Sequence, residues 1–280
     1  MSILVFGSTG QVAQELRRHL PDATFLSRED ADLNDPAACG AAITARAPTA
    51  VINAAAYTAV DRAEEDEARA LRVNGEAPAA MARACAALDI PFVHISTDYV
   101  FDGSGETPWQ PHDLVSPLGA YGRTKLAGEQ GVAAAGGRFV ILRTSWVFST
   151  HGNNFVKTML RLSETRDALG VVGDQIGGPT PAGYIAAACT AIAEQLRAGT
   201  PSGIYHFAGT PAVSWADFAR AVFTTANRTV QVTDIPATDY PTPAARPANS
   251  RMDSSSLMRD FSIAAPDWQA GLTQVIKDLT

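Results

Sequence analysis

The 280-residue sequence predicts an α/β protein, a doubly wound parallel sheet with a smaller C-terminal region behind it. Three observations point there. Short continuous apolar runs alternate with Ala-rich helical stretches through the first half, the pattern of β-α-β units whose strands are buried on both faces. A glycine-rich turn, Gly7-Ser8-Thr9-Gly10, follows the first apolar run directly. The composition then shifts near Ser149, and proline and glycine become dense around residues 173–183 and 235–249.

Taken in order, residues 3–6 (Ile-Leu-Val-Phe) read as the first strand and residues 12–19 as the first helix. Residues 24–26 form a weaker strand, and residues 36–46 a helix. Strands follow at 50–52, 91–95 and 138–142, separated by helices at 64–88 and 121–134. Parallel strands joined this way need right-handed crossovers. In the second half, helices are expected at 154–163, 182–196 and 215–226, with a strand at 204–207. The expected division is 1–150 for a Rossmann-type unit and 151–280 mainly for substrate, with 182–208 returning to the main sheet. There is no internal repeat and no low-complexity tail.

Composition narrows the function. Hydrophobic residues are 46% and charged residues 18%, which suits a soluble globular protein and excludes disorder as the main state. The net charge of −7 argues against nonspecific nucleic-acid binding, which needs a basic face. A phosphate-bearing ligand would need a local cluster of Arg or Lys. No apolar run approaches the roughly 18–20 residues of a membrane span, and the N-terminus lacks the features of a signal peptide. Cys39, Cys85 and Cys189 are distant from one another and set among alanines, so they read as buried thiols in a reducing cytoplasm. The five histidines lack metal-ligand spacing.

The turn after the first strand carries chemistry. Gly7 permits a tight turn, Gly10 lets a phosphate approach the backbone, and Ala13 lets helix and strand pack closely. The helix N-terminus then offers free N–H groups to a pyrophosphate. At the end of the second strand, dinucleotide folds often place an acid against the ribose diol. Here stand Ser27 and Arg28, with Glu29 one further on, so the sequence favours NADPH over NADH while leaving NADH possible. Asn53-Ala54-Ala55-Ala56-Tyr57-Thr58 ends the third strand in small residues that leave room for a flat ring or a ribose.

Tyr121 and Lys125 lie at i and i+4, hence on one helix face. An ammonium near the phenol is expected to lower its pKa, so that it can exchange a proton with a carbinol oxygen. Thr97 ends a strand, where an open-sheet active site belongs, and its hydroxyl can bond the same oxygen.

Together these residues resemble the extended short-chain dehydrogenase/reductases. A narrower resemblance, to the dTDP-4-dehydrorhamnose reductase family, rests on ordered blocks: Asn53 to Asp61, Ser96 to Gly103, Tyr121 to Glu129, Arg143-Thr-Ser-Trp-Val-Phe148, Asn154 to Met159 and Arg246-Pro-Ala-Asn-Ser-Arg251. The resemblance implies NAD(P)H-dependent reduction of dTDP-4-dehydro-L-rhamnose, the last step of dTDP-L-rhamnose biosynthesis. Tyr121 would donate the proton, Lys125 would support it and hold the nicotinamide ribose, and Thr97 would bind the substrate oxygen. Gly10, Gln11 and Val12 would hold the pyrophosphate, Asp32 and Leu33 would face the adenine, and Ala55, Ala56, Tyr57 and Thr58 the cofactor's middle. Val60, Thr97, Asp98, Trp146 and Asn154 would contact the substrate. For its diphosphate and thymine the candidates are Lys157, Arg161, Arg246, Asn249 and Arg251, with Trp146 and Phe155 for a ring. Related sugar-nucleotide dehydratases carry an acid pair at Asp98. Here Tyr99 follows it, which favours simple ketone reduction over dehydration or epimerisation.

Some members of that family are described as dimers with Mg²⁺ held by glutamates at the interface. Glu15 fits one such position, but Pro181-Ala182-Gly183-Tyr184 holds no acid where another is expected. That speaks against a structural Mg²⁺; a monomer or a homodimer fits the rest. The competing reading is an NADP-binding regulatory subunit resembling that of methionine adenosyltransferase, and the joint presence of Thr97, Tyr121 and Lys125 argues against it.

Overall fold

The computed structural model describes residues 2–279. The first half builds β1 (Ile3–Phe6), α1 (Gln11–His19), β2 (Thr24–Leu26), α2 (Pro36–Arg46) and β3 (Ala50–Asn53). It continues with α3 (Val60–Ala63), α4 (Glu67–Leu71), a π-helical turn (Arg72–Glu76), α5 (Ala77–Ala87), β4 (Phe92–Thr97), α6 (Ala120–Ala135) and β5 (Phe139–Thr144). The second half adds β6 (Val147–Phe148), α7 (Phe155–Leu162), β7 (Ala168–Val172), β8 (Ile176–Gly177), β9 (Thr180–Pro181), α8 (Ala182–Arg197) and β10 (Gly203–His206). Then come β11 (Val213–Ser214), α9 (Trp215–Thr225), β12 (Gln231–Ile235), β13 (Asn249–Ser250), α10 (Ser255–Phe261) and α11 (Trp268–Leu279).

The main sheet has six parallel strands in the order β10-β5-β4-β3-β1-β2. Its two-sided burial is visible within β1, because alternate residues of a strand face opposite ways. Ile3 and Val5 pack into one cluster with Val12 and Leu16 of α1 and Ile185, Cys189 and Ile192 of α8. Leu4 and Phe6 pack into the other, with Cys39 and Ile43 of α2 and Met81 and Cys85 of α5. The weaker second strand is an edge strand of three residues. At the opposite edge, β10 pairs with β5, so chain from beyond residue 200 completes the sheet.

A third cluster fills the second half, where Phe148, Val156, Met159, Phe218, Val222, Trp268 and Leu272 close against Leu169 and Val171 of β7. Trp268 is a core residue, with its indole N–H donating to the Pro211 carbonyl at 2.7 Å.

The helix expected over residues 64–88 is interrupted. The π turn lets Asn74 leave the regular ladder, and its side chain accepts from the Tyr57 N–H at 2.8 Å while donating to the Tyr57 carbonyl and to Thr124 Oγ1. Gly128 of α6 lies so close that a Cβ there would sit 2.1 Å from the Asn74 carbonyl oxygen. The broken helix thus pins the loop after β3. All three cysteines are free and buried, and burial pushes each thiol up to about 12.

Candidate active site

The turns at the C-terminal ends of β1 to β5 converge on one edge of the sheet and line a cleft of about 1060 Å³. Gly7 adopts φ +104°, and a Cβ there would lie 3.3 Å from that of Ala55. Gly10 is the N-cap of α1 and has no side chain to close the helix end; a Cβ there would meet only the Ala54 carbonyl oxygen, at 3.9 Å. The first N–H groups of α1 are therefore left for an anion. Gln11 and Val12 line the wall, but the Gln11 side chain is engaged elsewhere: its Oε1 accepts from Ser149 Oγ and Asn154 Nδ2, each at 2.9 Å. Its Nε2 lies 3.5 Å from the Val147 carbonyl.

At the far end of the cleft, Ser27, Arg28, Asp32 and Leu33 are all on the wall. The Ser27 hydroxyl donates to the Asp30 carboxylate at 2.7 Å, closing a turn on that wall. Arg28 is exposed. Arg69 of α4, not singled out from the sequence, lines the same wall. The Asp32 carboxyl is held below its ordinary range by the Asn34 backbone N–H first, and Arg28 and Arg69 add to this. Nothing in an Ala-rich helix marks one arginine as facing a cleft.

Ala55, Ala56, Tyr57, Thr58 and Val60 form the middle of the wall, and the Tyr57 hydroxyl is buried without a partner. Thr97, Asp98, Tyr121, Lys125 and Trp146 close it. Lys125 is 2% exposed; its Nζ donates to the Ile95 carbonyl at 2.7 Å and lies 3.3 Å from His94 Nε2. Burial pulls its ammonium down to about 8, against the opposing pull of Glu129. Glu129 is itself fixed by Arg143 at 2.6 Å and by Ser96 Oγ at 2.5 Å. His94, buried between Asn53 and Lys125, is kept neutral by burial and by the Lys125 charge.

Tyr121 departs from expectation. Its phenol is pushed up to about 12, by burial first and then by the Asp98 charge, while a bond with Thr97 pulls the other way. The ammonium expected to lower it is drawn instead to Ile95 and His94. Asp98 is pushed up to about 6 by burial, offset by hydrogen bonds from Ser250 and Thr97. Thr97 Oγ1 donates to Asp98 Oδ1 at 3.0 Å and accepts from the Tyr99 N–H at 3.2 Å. Trp146 holds φ +49° and stacks on Trp215 of α9, ring centroids 3.5 Å apart.

Three expected substrate residues do not line the cleft: Asn154, Arg246 and Arg251. Asn154 caps α7, its Oδ1 accepting from the Lys157 N–H at 3.1 Å, while its Nδ2 donates to Gln11 Oε1 and the Ser149 carbonyl. Arg246 is paired with Asp61, and Arg251 donates to Asn249 Oδ1 at 3.0 Å. Lys157, Arg161, Asn249 and Phe155 are also off the wall; Phe155 packs on Trp215 and Phe218. Glu15 is buried beside Arg18 and His151.

A six-stranded parallel sheet, an open glycine turn and a strand-end threonine beside a Tyr-x-x-x-Lys helix define a Rossmann-type dehydrogenase/reductase. A family model described as RmlD substrate binding domain matches residues 1–280. A dTDP-4-dehydrorhamnose reductase of Sinorhizobium fredii is 42% identical, with 99% of this chain and 97% of that protein covered. The crystal structure of a dTDP-4-dehydrorhamnose reductase from Clostridium acetobutylicum superposes with a TM-score of 0.93 at 34% identity, covering 100% of this chain and 99% of that one. The Bacillus anthracis enzyme of the same name, solved in complex with NADP, gives 0.93 at 31% identity, covering 99% of this chain and 100% of that one. The chain belongs to the dTDP-4-dehydrorhamnose reductase family.

Among the described residues, no helix is long and apolar enough to cross a membrane.

Proposed function

We propose that this protein reduces dTDP-4-dehydro-L-rhamnose to dTDP-L-rhamnose in the cytoplasm, with NADPH preferred and NADH as the second donor. Residues 1–150 would bind the cofactor, and 151–280 mainly the substrate, with 182–208 belonging to the sheet. The observation that carries the reading is the meeting of Thr97, Tyr121 and Lys125 at the edge of a cleft that begins at the Gly7–Gly10 turn.

A dinucleotide fits the residues present. The open turn at Gly10 leaves α1 N–H groups for the pyrophosphate, and Arg28 and Arg69 are cations suited to a 2′-phosphate. Bound there, a reduced nicotinamide supplies the hydride that becomes the new C4 hydrogen. The chain supplies the proton and the order. Tyr121, protonated throughout the neutral range, donates its phenolic hydrogen to the C4 oxygen as charge builds there. Lys125 places a positive charge beneath the site and is available to a ribose diol. Thr97 and Asp98 hold the sugar from the end of β4, and Trp146 faces it from the end of β5. The Arg246 Nη1 is buried without a partner, which supports Arg246 as a diphosphate ligand beside its pair with Asp61.

The test is turnover of dTDP-4-dehydro-L-rhamnose with NADPH and NADH side by side. Oxidation of the cofactor that depends on the keto-sugar is expected. A protein that binds NADPH and leaves the sugar unreduced would be a binding subunit instead.

A further inference from the structure

We propose that Ser250 is a positioning residue of the active site: from β13 it orients the Asp98 carboxylate and, through it, the Thr97 hydroxyl. The inference rests on the reading of Thr97 and Asp98 as sugar ligands.

Ser250 is 1% exposed and Asp98 2% exposed. Ser250 Oγ donates to Asp98 Oδ2 at 2.5 Å, and Thr97 Oγ1 donates to Oδ1 at 3.0 Å. An ionised carboxylate only accepts, so both donors are unambiguous. Each oxygen has its own hydroxyl, and together they stop the carboxylate from turning about its last bond. The groups facing Asp98 are Thr97 and Tyr99 from its own turn, Tyr121 from α6 and Ser250 from β13. Arg246, shortly before Ser250 in the chain, is held by Asp61.

Ser250 does not line the cleft, so it acts through Asp98. Its own position is well fixed. β13 pairs with β8 at Asn249↔Ile176 and Ser250↔Gly177, and the Asn249 N–H donates to the Gly103 carbonyl at 2.9 Å. The Asn249 side-chain amide donates to the Thr107 carbonyl, also at 2.9 Å. Ser250 stands four residues after Arg246, which is proposed to grip the nucleotide. One short stretch of the second half therefore carries both the proposed diphosphate ligand and the residue that holds the Asp98 carboxylate.

The experiment is a double-mutant cycle with Ser250→Ala, Asp98→Asn and both together, read as kcat/KM for dTDP-4-dehydro-L-rhamnose. Thermal melting and NADPH affinity are followed alongside. Ser250→Ala is expected to lose about 10- to 100-fold, the usual effect of removing one hydrogen bond to a charged group. The double variant should fall no further than Asp98→Asn alone, with NADPH affinity unchanged. A second measurement does not depend on turnover. The carboxyls of isotope-labelled aspartate are titrated by NMR, with Asp98→Asn identifying the signal, and the Asp98 midpoint should rise in Ser250→Ala. Losses that add across the cycle, or an unmoved midpoint, overturn the proposal. A parent protein that leaves the keto-sugar unreduced overturns the proposed function instead, and the titration still decides on Ser250.

Discussion

Arg246 and Asp61 are joined across the two halves of the chain: both Asp61 carboxylate oxygens accept from Arg246 Nη2 at 2.8 Å. The other terminal nitrogen, Nη1, is buried with no partner. A guanidinium held through one terminal nitrogen while the other is unpaired is a fixed fork. Arg246→Ala should weaken dTDP binding by about 10- to 100-fold, the scale of one charge-assisted bond. Separate titrations of dTDP and NADPH check it, and NADPH affinity should hold. Asp61→Asn should weaken dTDP binding less, because it loosens the fork without removing it. Unaltered dTDP affinity in Arg246→Ala would make the residue a strut between the halves and nothing more.

Tyr121→Phe removes the proton donor and keeps the ring that meets Tyr99 edge-on at 5.4 Å. Turnover should drop by about 10²–10⁴-fold, with the melting temperature little changed. Lys125→Ala should lose turnover and also NADPH affinity, since its ammonium serves both. Steady-state kinetics of Tyr121→Phe near the parent level would end the assignment.

The cofactor preference has its own test. Arg28→Ala and Arg69→Ala should each raise the Michaelis constant for NADPH and leave that for NADH nearly unchanged, because only the former carries a 2′-phosphate. Equal effects on the two cofactors would reduce both arginines to general supports of the cleft wall.

Asp98 makes a prediction about stability. Its carboxyl titrates near 6 in the folded protein and near 3.8 when free. The folded state therefore holds its proton more tightly than the unfolded one. The Asp98 contribution to stability is full below about 3.8 and is lost as pH rises through about 6, at a cost on the order of 3 kcal/mol. Asp98→Asn should thus unfold at higher denaturant than the parent at pH 8, with the advantage gone by pH 4, while losing activity. Parallel urea curves at the two pH values check the sign.

What sequence could show follows from what is local. The strands of the sheet were legible because double burial leaves continuous apolar runs, and the cofactor turn because glycines stand where a backbone must open. The proposed catalytic pair, Tyr121 and Lys125, was suggested by its spacing along one helix. Their electrostatics was not. The i,i+4 relation puts Lys125 on the face of Tyr121 but does not say where Nζ points, and it points to Ile95. Ser250 and Arg69 acquire their proposed roles only when distant segments meet, and a π turn at Asn74 has no periodic signature. Asn154 shows the reverse case, a residue in a diagnostic block whose amide closes a helix end.

The return of the chain through α8 and β10 has a consequence for modularity. A fragment ending near residue 150 would leave β5 as a bare edge, its Val140 to Arg143 backbone groups without the partners β10 provides. It would also strip Ile185, Cys189 and Ile192 from above Ile3, Val5 and Val93. Such a fragment is a sticky half-sandwich rather than a portable cofactor cassette. Grafting the front of this chain onto another enzyme would have to bring residues 182–206 with it, and recombination between relatives should survive only where both pieces come from one parent.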